Sequence, residues 1–161
     1  KKKPKSEEKK SPFYRWTTYL TTKQIENSIY KNMAVNVGTI NRMEINKRGA
    51  GGIVAQMTIY GDKRQISIVN QNQIRKILSS YYSIIKLSDK TKRTKLSMLP
   101  SAFISIKSVY KNNKLDGIYG GGFGHGSGMS QSAACQMAKK GKGYKEILAT
   151  FYNDVEITSL Q

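Results

Sequence analysis

Apolar residues along this chain recur with two periods, and the switches between them mark its elements. From Thr21 the period is helical: Ile25, Ile29 and Met33 repeat at every fourth position, and Thr21 with Gln24 makes a capping box. A short amphipathic helix is predicted to about Asn32. Ahead of it, the aromatic-rich SPFYRWTTYLT from Ser11 reads as a strand. Gly38 to Lys47 and Ile53 to Tyr60 read as strands joined by the RGAGG turn at Arg48 to Gly52, and Gly61 with Asp62 turns into a third at Lys63 to Val69. Asn70 can cap a second helix bearing Ile74, Ile77, Leu78 and Tyr81, after which Lys86 to Lys95 reads as a polar basic loop. Leu96 to Pro100 leads into a strand over Ala102 to Tyr110. Asn112 and Asn113 then turn the chain back through Leu115 to Tyr119. A last helix from Tyr144 to about Tyr152 carries Ile147, Leu148 and Phe151 on one face, and Val155 to Ile157 reads as a short final strand. The fold class this predicts is α+β, mainly antiparallel strands with about four short helices.

Between the last hairpin and the last helix lies the densest feature of the chain. Gly120, Gly121, Gly122, Gly124, Gly126 and Gly128 surround the single histidine, His125, with Phe123 and Met129 among them. A linker would mix glycine with serine and charge, so this spacing predicts a shaped loop with positive φ values or close backbone approaches. It runs into an alanine-rich helix that Ser127 or Ser130 can cap and Gly141 ends. The N–H groups at such a helix start can receive an anion or a sugar hydroxyl; equally, the glycines can serve only to turn strand into helix, with His125 satisfied in the core. Nucleotide-binding patterns fail: no frame gives GxGxxG, and GxxxxGK[ST] is absent.

Composition narrows the partners. The 161 residues carry 28 Lys and Arg against 10 acids, a net charge of +18 that favours a polyanion such as nucleic acid, an acidic membrane face or an anionic wall polymer. Residues 1–10, basic and broken by Pro4, read as a disordered tail. There is no initiator Met, signal peptide or apolar run of membrane-span length, which reads as a processed or truncated piece. The one cysteine, Cys135, excludes an internal disulfide and is expected as a small buried packing residue in the alanine-rich helix. One Cys and one His cannot close a structural zinc site, so no metal and no cofactor are expected.

Candidate chemistry is sparse. A Ser-His-Asp arrangement would need His125 with Ser127 or Ser130, and no GxSxG elbow marks it. Acid catalysis on a glycosidic bond needs a carboxyl in an apolar pocket, whereas the acids here fall in the tail, on helix surfaces, in turns or at polar strand ends. Sugar binding fits better: Tyr14, Trp16, Tyr119 and Phe123 can stack on pyranose rings, although Trp16 and Phe123 also suit core positions.

The GGGFGHGSGMSQ run, the MA at Met137 and Ala138, Gly141 and the YKEIL of Tyr144 to Leu148 followed by FY resemble the C-terminal signature of the stage II sporulation protein D family, which includes the amidase enhancer of wall lysis. SPFYRW, GGIV with IYG, IRKIL and LPSAF follow in the family's order, so the resemblance covers nearly everything after residue 10. It implies the C-terminal part of a peptidoglycan lytic transglycosylase on the outer face of a bacterial membrane, acting on glycan strands beside a peptidoglycan amidase. In that reaction a glutamic acid protonates the glycosidic oxygen and the muramic acid 6-hydroxyl attacks, leaving a 1,6-anhydro sugar. The family's glutamate sits in a Pro-Glu-Met context that this chain lacks, so a second chain supplying that half is an implied partner, with anionic wall polymers another. By the same resemblance, Phe123, His125, Ser127, Ser130 and Gln131 would line the substrate groove. Gly121 and Ser132 stand where the family usually has Arg and a large aromatic. The alternatives are a non-catalytic peptidoglycan-binding, amidase-enhancing module and, from charge alone, a nucleic-acid binder.

Overall fold

The computed structural model describes residues 7–49, 51–108 and 115–158. Within them the chain is α+β, with four α-helices and eight strands in two antiparallel sheets. It divides into two compact units, residues 12–125 and residues 1–11 with 126–161.

In the larger unit, a five-stranded sheet has the order β6-β5-β1-β8-β7, built from β1 (Trp16–Thr18), β5 (Ile85–Leu87), β6 (Lys92–Arg93), β7 (Ile104–Ser108) and β8 (Leu115–Gly120). A second sheet is the expected meander, β2 (Ile40–Arg48), β3 (Val54–Gly61) and β4 (Gln65–Ile68). The sheets meet at the free edge of β7, where the Val54 N–H donates to the Ala102 carbonyl at 2.9 Å and the Arg48 guanidinium to that of Ile104 at 2.8 Å. The Ile104 bond occupies an acceptor that the edge strand would otherwise present to solvent.

Two helices cover the core. Helix α1 (Thr22–Met33) begins with the predicted capping box, Thr21 and Gln24 exchanging side-chain and backbone bonds, and ends where Ala34 turns left-handed. Helix α2 (Gln71–Ile77) begins at Asn70, whose side chain accepts from the N–H groups of Asn72 and Gln73. They bury Ile25, Ile29, Ile74 and Ile77 against Trp16, Met57, Ile59, Ile85, Leu99 and Ile118. Each side chain so buried contributes about 1.5–3 kcal/mol. Among the described residues the buried Arg75 has no carboxylate partner; it donates to the carbonyls of Leu99 and Pro100 at 2.8 and 3.1 Å, and desolvation holds its pKa below the usual value.

Several sequence expectations are corrected here. Of the strand expected from Ser11, only Trp16–Thr18 is extended; Pro12–Tyr14 form a 3-10 turn because the Pro12 carbonyl is drawn to the N–H and hydroxyl of Ser88 and the Phe13 carbonyl to Gly122. Tyr81 lies beyond α2 and is exposed. The basic loop at Lys86–Lys95 contains the β5–β6 hairpin, with Ile85 and Leu87 buried and Lys86 outward, closed by an Asp89–Thr91 turn. The turn at Asn112 and Asn113 lies outside the described residues.

The smaller unit holds a 3-10 turn at Glu7–Lys10, within the stretch read as a disordered tail, together with α3 (Gln131–Lys139) and α4 (Tyr144–Phe151). Ser130 is the residue that caps α3, and Gly141 turns left-handed past its end. Ile147 is buried on α4, and Tyr152 hydroxyl accepts from the Met129 N–H. Cys135 is exposed, not buried: α3 is short and buries none of its residues, so its alanine-rich face offers the thiol no core. Val155–Ile157 is not a strand, having no ladder partner among the described residues.

Candidate functional site

The larger unit opens a 660 Å³ cleft at the end of the five-stranded sheet, lined by Arg15, Trp16, Thr17, Arg48, Gly52, Phe103, Ile104, Ser105, Tyr119 and Gly120. Its construction follows from strand parity. Ile104, Gly120 and Trp16 are direct cross-strand partners, and one residue along, Ser105, Tyr119 and Thr17 form the next row, pointing to the opposite, outer face. Gly120 is required at the first row, because a Cβ there would stand 2.0 Å from the Trp16 ring. Phe103 lies over Gly52, whose φ of +82° leaves that position to glycine.

Two guanidinium groups flank these rings. Arg15 donates to the Tyr14 carbonyl at 2.7 Å and lies 4.2 Å over the Tyr14 ring; Arg48 spans the carbonyls of Gly52 and Ile104, each at 2.8 Å. A guanidinium has five N–H donors, so both keep donors beyond these bonds. Among the described residues, no Asp or Glu lines the cleft. Apolar rings, hydroxyls and fixed cations together suit a ring-bearing, neutral or anionic ligand, and they supply no general acid.

The glycine loop is fastened to the same end of this unit. Gly121 N–H donates to the Phe103 carbonyl at 3.0 Å and its carbonyl accepts from Ser101 Oγ at 2.7 Å. Gly122 N–H donates to Phe13 at 2.8 Å, its carbonyl accepts from Trp16 Nε1 at 3.1 Å, and Gly124 N–H donates to Pro100 at 2.9 Å. Because Pro100 also accepts from Arg75, α2 reaches the loop through two consecutive bonds at one carbonyl. Gly122, Gly124, Gly126 and Gly128 all have positive φ, the shaped conformation the sequence predicts.

The sequence-derived groove residues divide between the units. Phe123 is 69% exposed and packs on Phe13 with ring centroids 4.7 Å apart. His125 is exposed too and closes this unit, so the core position considered for it does not hold. Ser127, Ser130 and Gln131 belong to the other unit. There Ser127 is exposed, Ser130 Oγ accepts from the Ala133 N–H as the helix cap, and Gln131 is the exposed first residue of α3. Of the aromatic residues considered for sugar stacking, Trp16 is core, at 2% exposure, with its ring on the inner side of the sheet, and Tyr119 stands exposed in the cleft. Sequence reasoning missed Arg15, Arg48 and Phe103. Arg48 adjoins a recognised turn and Phe103 is a large aromatic on the exposed parity of its strand, but only the fold brings them together.

Among the described residues, no group of three or more His, Cys, Asp or Glu side chains is placed to hold a metal ion, and no helix is long and apolar enough to cross a membrane.

Comparison with known proteins places the chain in a family. The model of the family described as Domain of unknown function (DUF8618) matches residues 1–96, and the chain belongs to that family. The matched region contains α1, α2 and the meander and ends before the glycine loop. An uncharacterized protein of Brachyspira hyodysenteriae (strain ATCC 49526 / WA1) is 48% identical over 67 residues, 40% of this chain and 17% of that protein. The chain thus spans less than a fifth of that relative's length.

Proposed function

We propose that this chain is the glycan-gripping part of a bacterial cell-envelope protein that binds and cleaves peptidoglycan strands by lytic transglycosylation, on the outer face of the membrane and beside a peptidoglycan amidase. The observation that carries the reading is the cleft: Phe103 and Tyr119 give flat apolar walls for sugar rings, Thr17 and Ser105 give hydroxyls, and Arg15 and Arg48 give cations for acidic substituents. The resemblance of the glycine loop to the stage II sporulation protein D signature adds to it. A Cβ at Gly121 would stand 2.9 Å from Arg15 Nη1, so a guanidinium borders the position where that signature usually carries arginine. By that resemblance Phe123 and His125 are proposed substrate contacts of the larger unit, and Ser127, Ser130 and Gln131 of the smaller one.

In this reading the chain binds and orients the strand, and the acid that protonates the glycosidic oxygen comes from outside it. One alternative is a peptidoglycan-binding module that enhances an amidase without cutting glycan itself; it is favoured by a lining in which the described residues offer rings, hydroxyls and guanidinium groups. Incubation with purified glycan strands and mass analysis of the products tests both. Binding with 1,6-anhydro products supports the transglycosylase, binding without products supports the module, and no binding refutes both.

A further inference from the structure

A further surface of the larger unit carries groups that the glycan reading does not use; it shares the outer face of the five-stranded sheet with the cleft, Lys86 standing opposite Thr17 in the ladder. After α2, the chain makes a tight turn at Ser80–Ser83, in which the Ser83 N–H and hydroxyl both donate to the Ser80 carbonyl, at 2.8 and 2.7 Å, and Ser80 Oγ accepts from the Tyr82 N–H. Ser83 is buried, so the turn is anchored from below, while Tyr82 projects at 82% exposure with its ring edge-on to Tyr81, centroids 5.3 Å apart. Ile84 follows, also exposed. In the extended chain beyond it Ile85 is buried, which puts Ile84 and Lys86 on the same outward side.

Lys86 pairs directly across the ladder with Lys92 of β6, and like charges opposed in this way destabilise a hairpin. No carboxylate is paired with either lysine among the described residues. Lys90, Arg93 and Lys95 add charge to the same hairpin, whose lone acid, Asp89, is bound by the Thr91 hydroxyl and N–H.

We infer that this turn and hairpin form a docking surface for an anionic lipid bilayer, with Tyr82 and Ile84 entering the interface and Lys86 and Lys92 meeting the headgroups. Charge complementarity favours a polyanion. An exposed aliphatic side chain and amphipathic tyrosines on a rigid turn beside it favour the water–hydrocarbon boundary over a soluble polymer, since tyrosine places a ring in the apolar layer and a hydroxyl in the headgroups. Because the turn is already held by the Ser80 and Ser83 bonds, little ordering is needed on contact.

Co-sedimentation of the full chain with phosphatidylcholine vesicles containing about a third phosphatidylglycerol tests this, with pure phosphatidylcholine as the comparison. The chain is expected to bind the anionic vesicles and not the neutral ones. K86E/K92E is expected to weaken binding about thirtyfold or more, given the attraction of each basic residue to an anionic surface. Y82S/I84S, which alters exposed side chains and is checked for retained fold by circular dichroism, is expected to weaken it about tenfold. Absence of binding overturns the inference. So does binding that survives Y82S/I84S, or binding to an oligonucleotide of equal charge as tight as to the vesicles; either result makes the surface a general polyanion site.

Discussion

The indole N–H of Trp16 donates to the carbonyl of Gly122 at 3.1 Å, joining residues 106 positions apart. One side chain therefore fills the core and fixes the glycine loop. Trp16→Phe keeps most of the ring and removes the donor, so it is expected to cost about 1–2 kcal/mol, the range for a lost bond that leaves a carbonyl unpaired. Hydrogen exchange should rise at Gly122 and Gly124 while protection in α1 stays unchanged.

Gly120 is the counterpart of that indole. Gly120→Ala drives a Cβ to within 2.0 Å of a ring held on all sides, with no flexible end to yield. Overpacking of this kind is expected to cost about 3 kcal/mol or more. Gly122→Ala meets no neighbour but carries the cost of a positive φ, so it should cost about 1 kcal/mol. Urea unfolding of the two variants separates steric from conformational cause.

Arg75 tests the support behind the loop. Lysine at this position cannot reach both carbonyls as the guanidinium fork does, so Arg75→Lys is expected to lose about 2–3 kcal/mol. It should also raise exchange at Gly124, whose partner carbonyl on Pro100 is one of the two that Arg75 holds.

The β5–β6 hairpin has a pH dependence of known sign. The Thr91 hydroxyl, followed by its N–H, holds the Asp89 carboxyl below the ordinary value of 3.8. A carboxyl lowered in the folded state contributes stability that is present above its unfolded pKa and lost as pH falls through the folded one. The hairpin amides should therefore lose protection in acid below about pH 4, and Asp89→Asn should remove that step.

Cys135 gives a direct chemical check on α3. An exposed thiol is expected to react fully with a disulfide reagent in native buffer, whereas the buried position expected from sequence would need denaturant.

What could be read from sequence was what short segments decide. Thr21 with Gln24, and Asn70 through its own side chain, satisfy helix N–H groups a few residues away, so both helix starts were visible in the sequence. The positive φ values of the loop were legible from the glycines themselves. The turn at Pro12–Tyr14 was not, because it depends on Ser88 and Gly122, and the strand character of Lys86 depends on pairing with Thr17. The cleft was the least legible part. Arg15, Arg48, Phe103 and Tyr119 come from four separate segments, and their residue types alone mark no common site.

The central claim is that this cleft holds a glycan strand. Calorimetric titration of the full chain with soluble peptidoglycan glycan strands tests it most directly, set beside Tyr119→Ala and Arg15→Ala, which alter exposed cleft side chains. The account predicts saturable binding that each substitution weakens about tenfold, the loss expected for one stacking or charge-assisted contact. Absent binding, or binding that neither substitution changes, would contradict it.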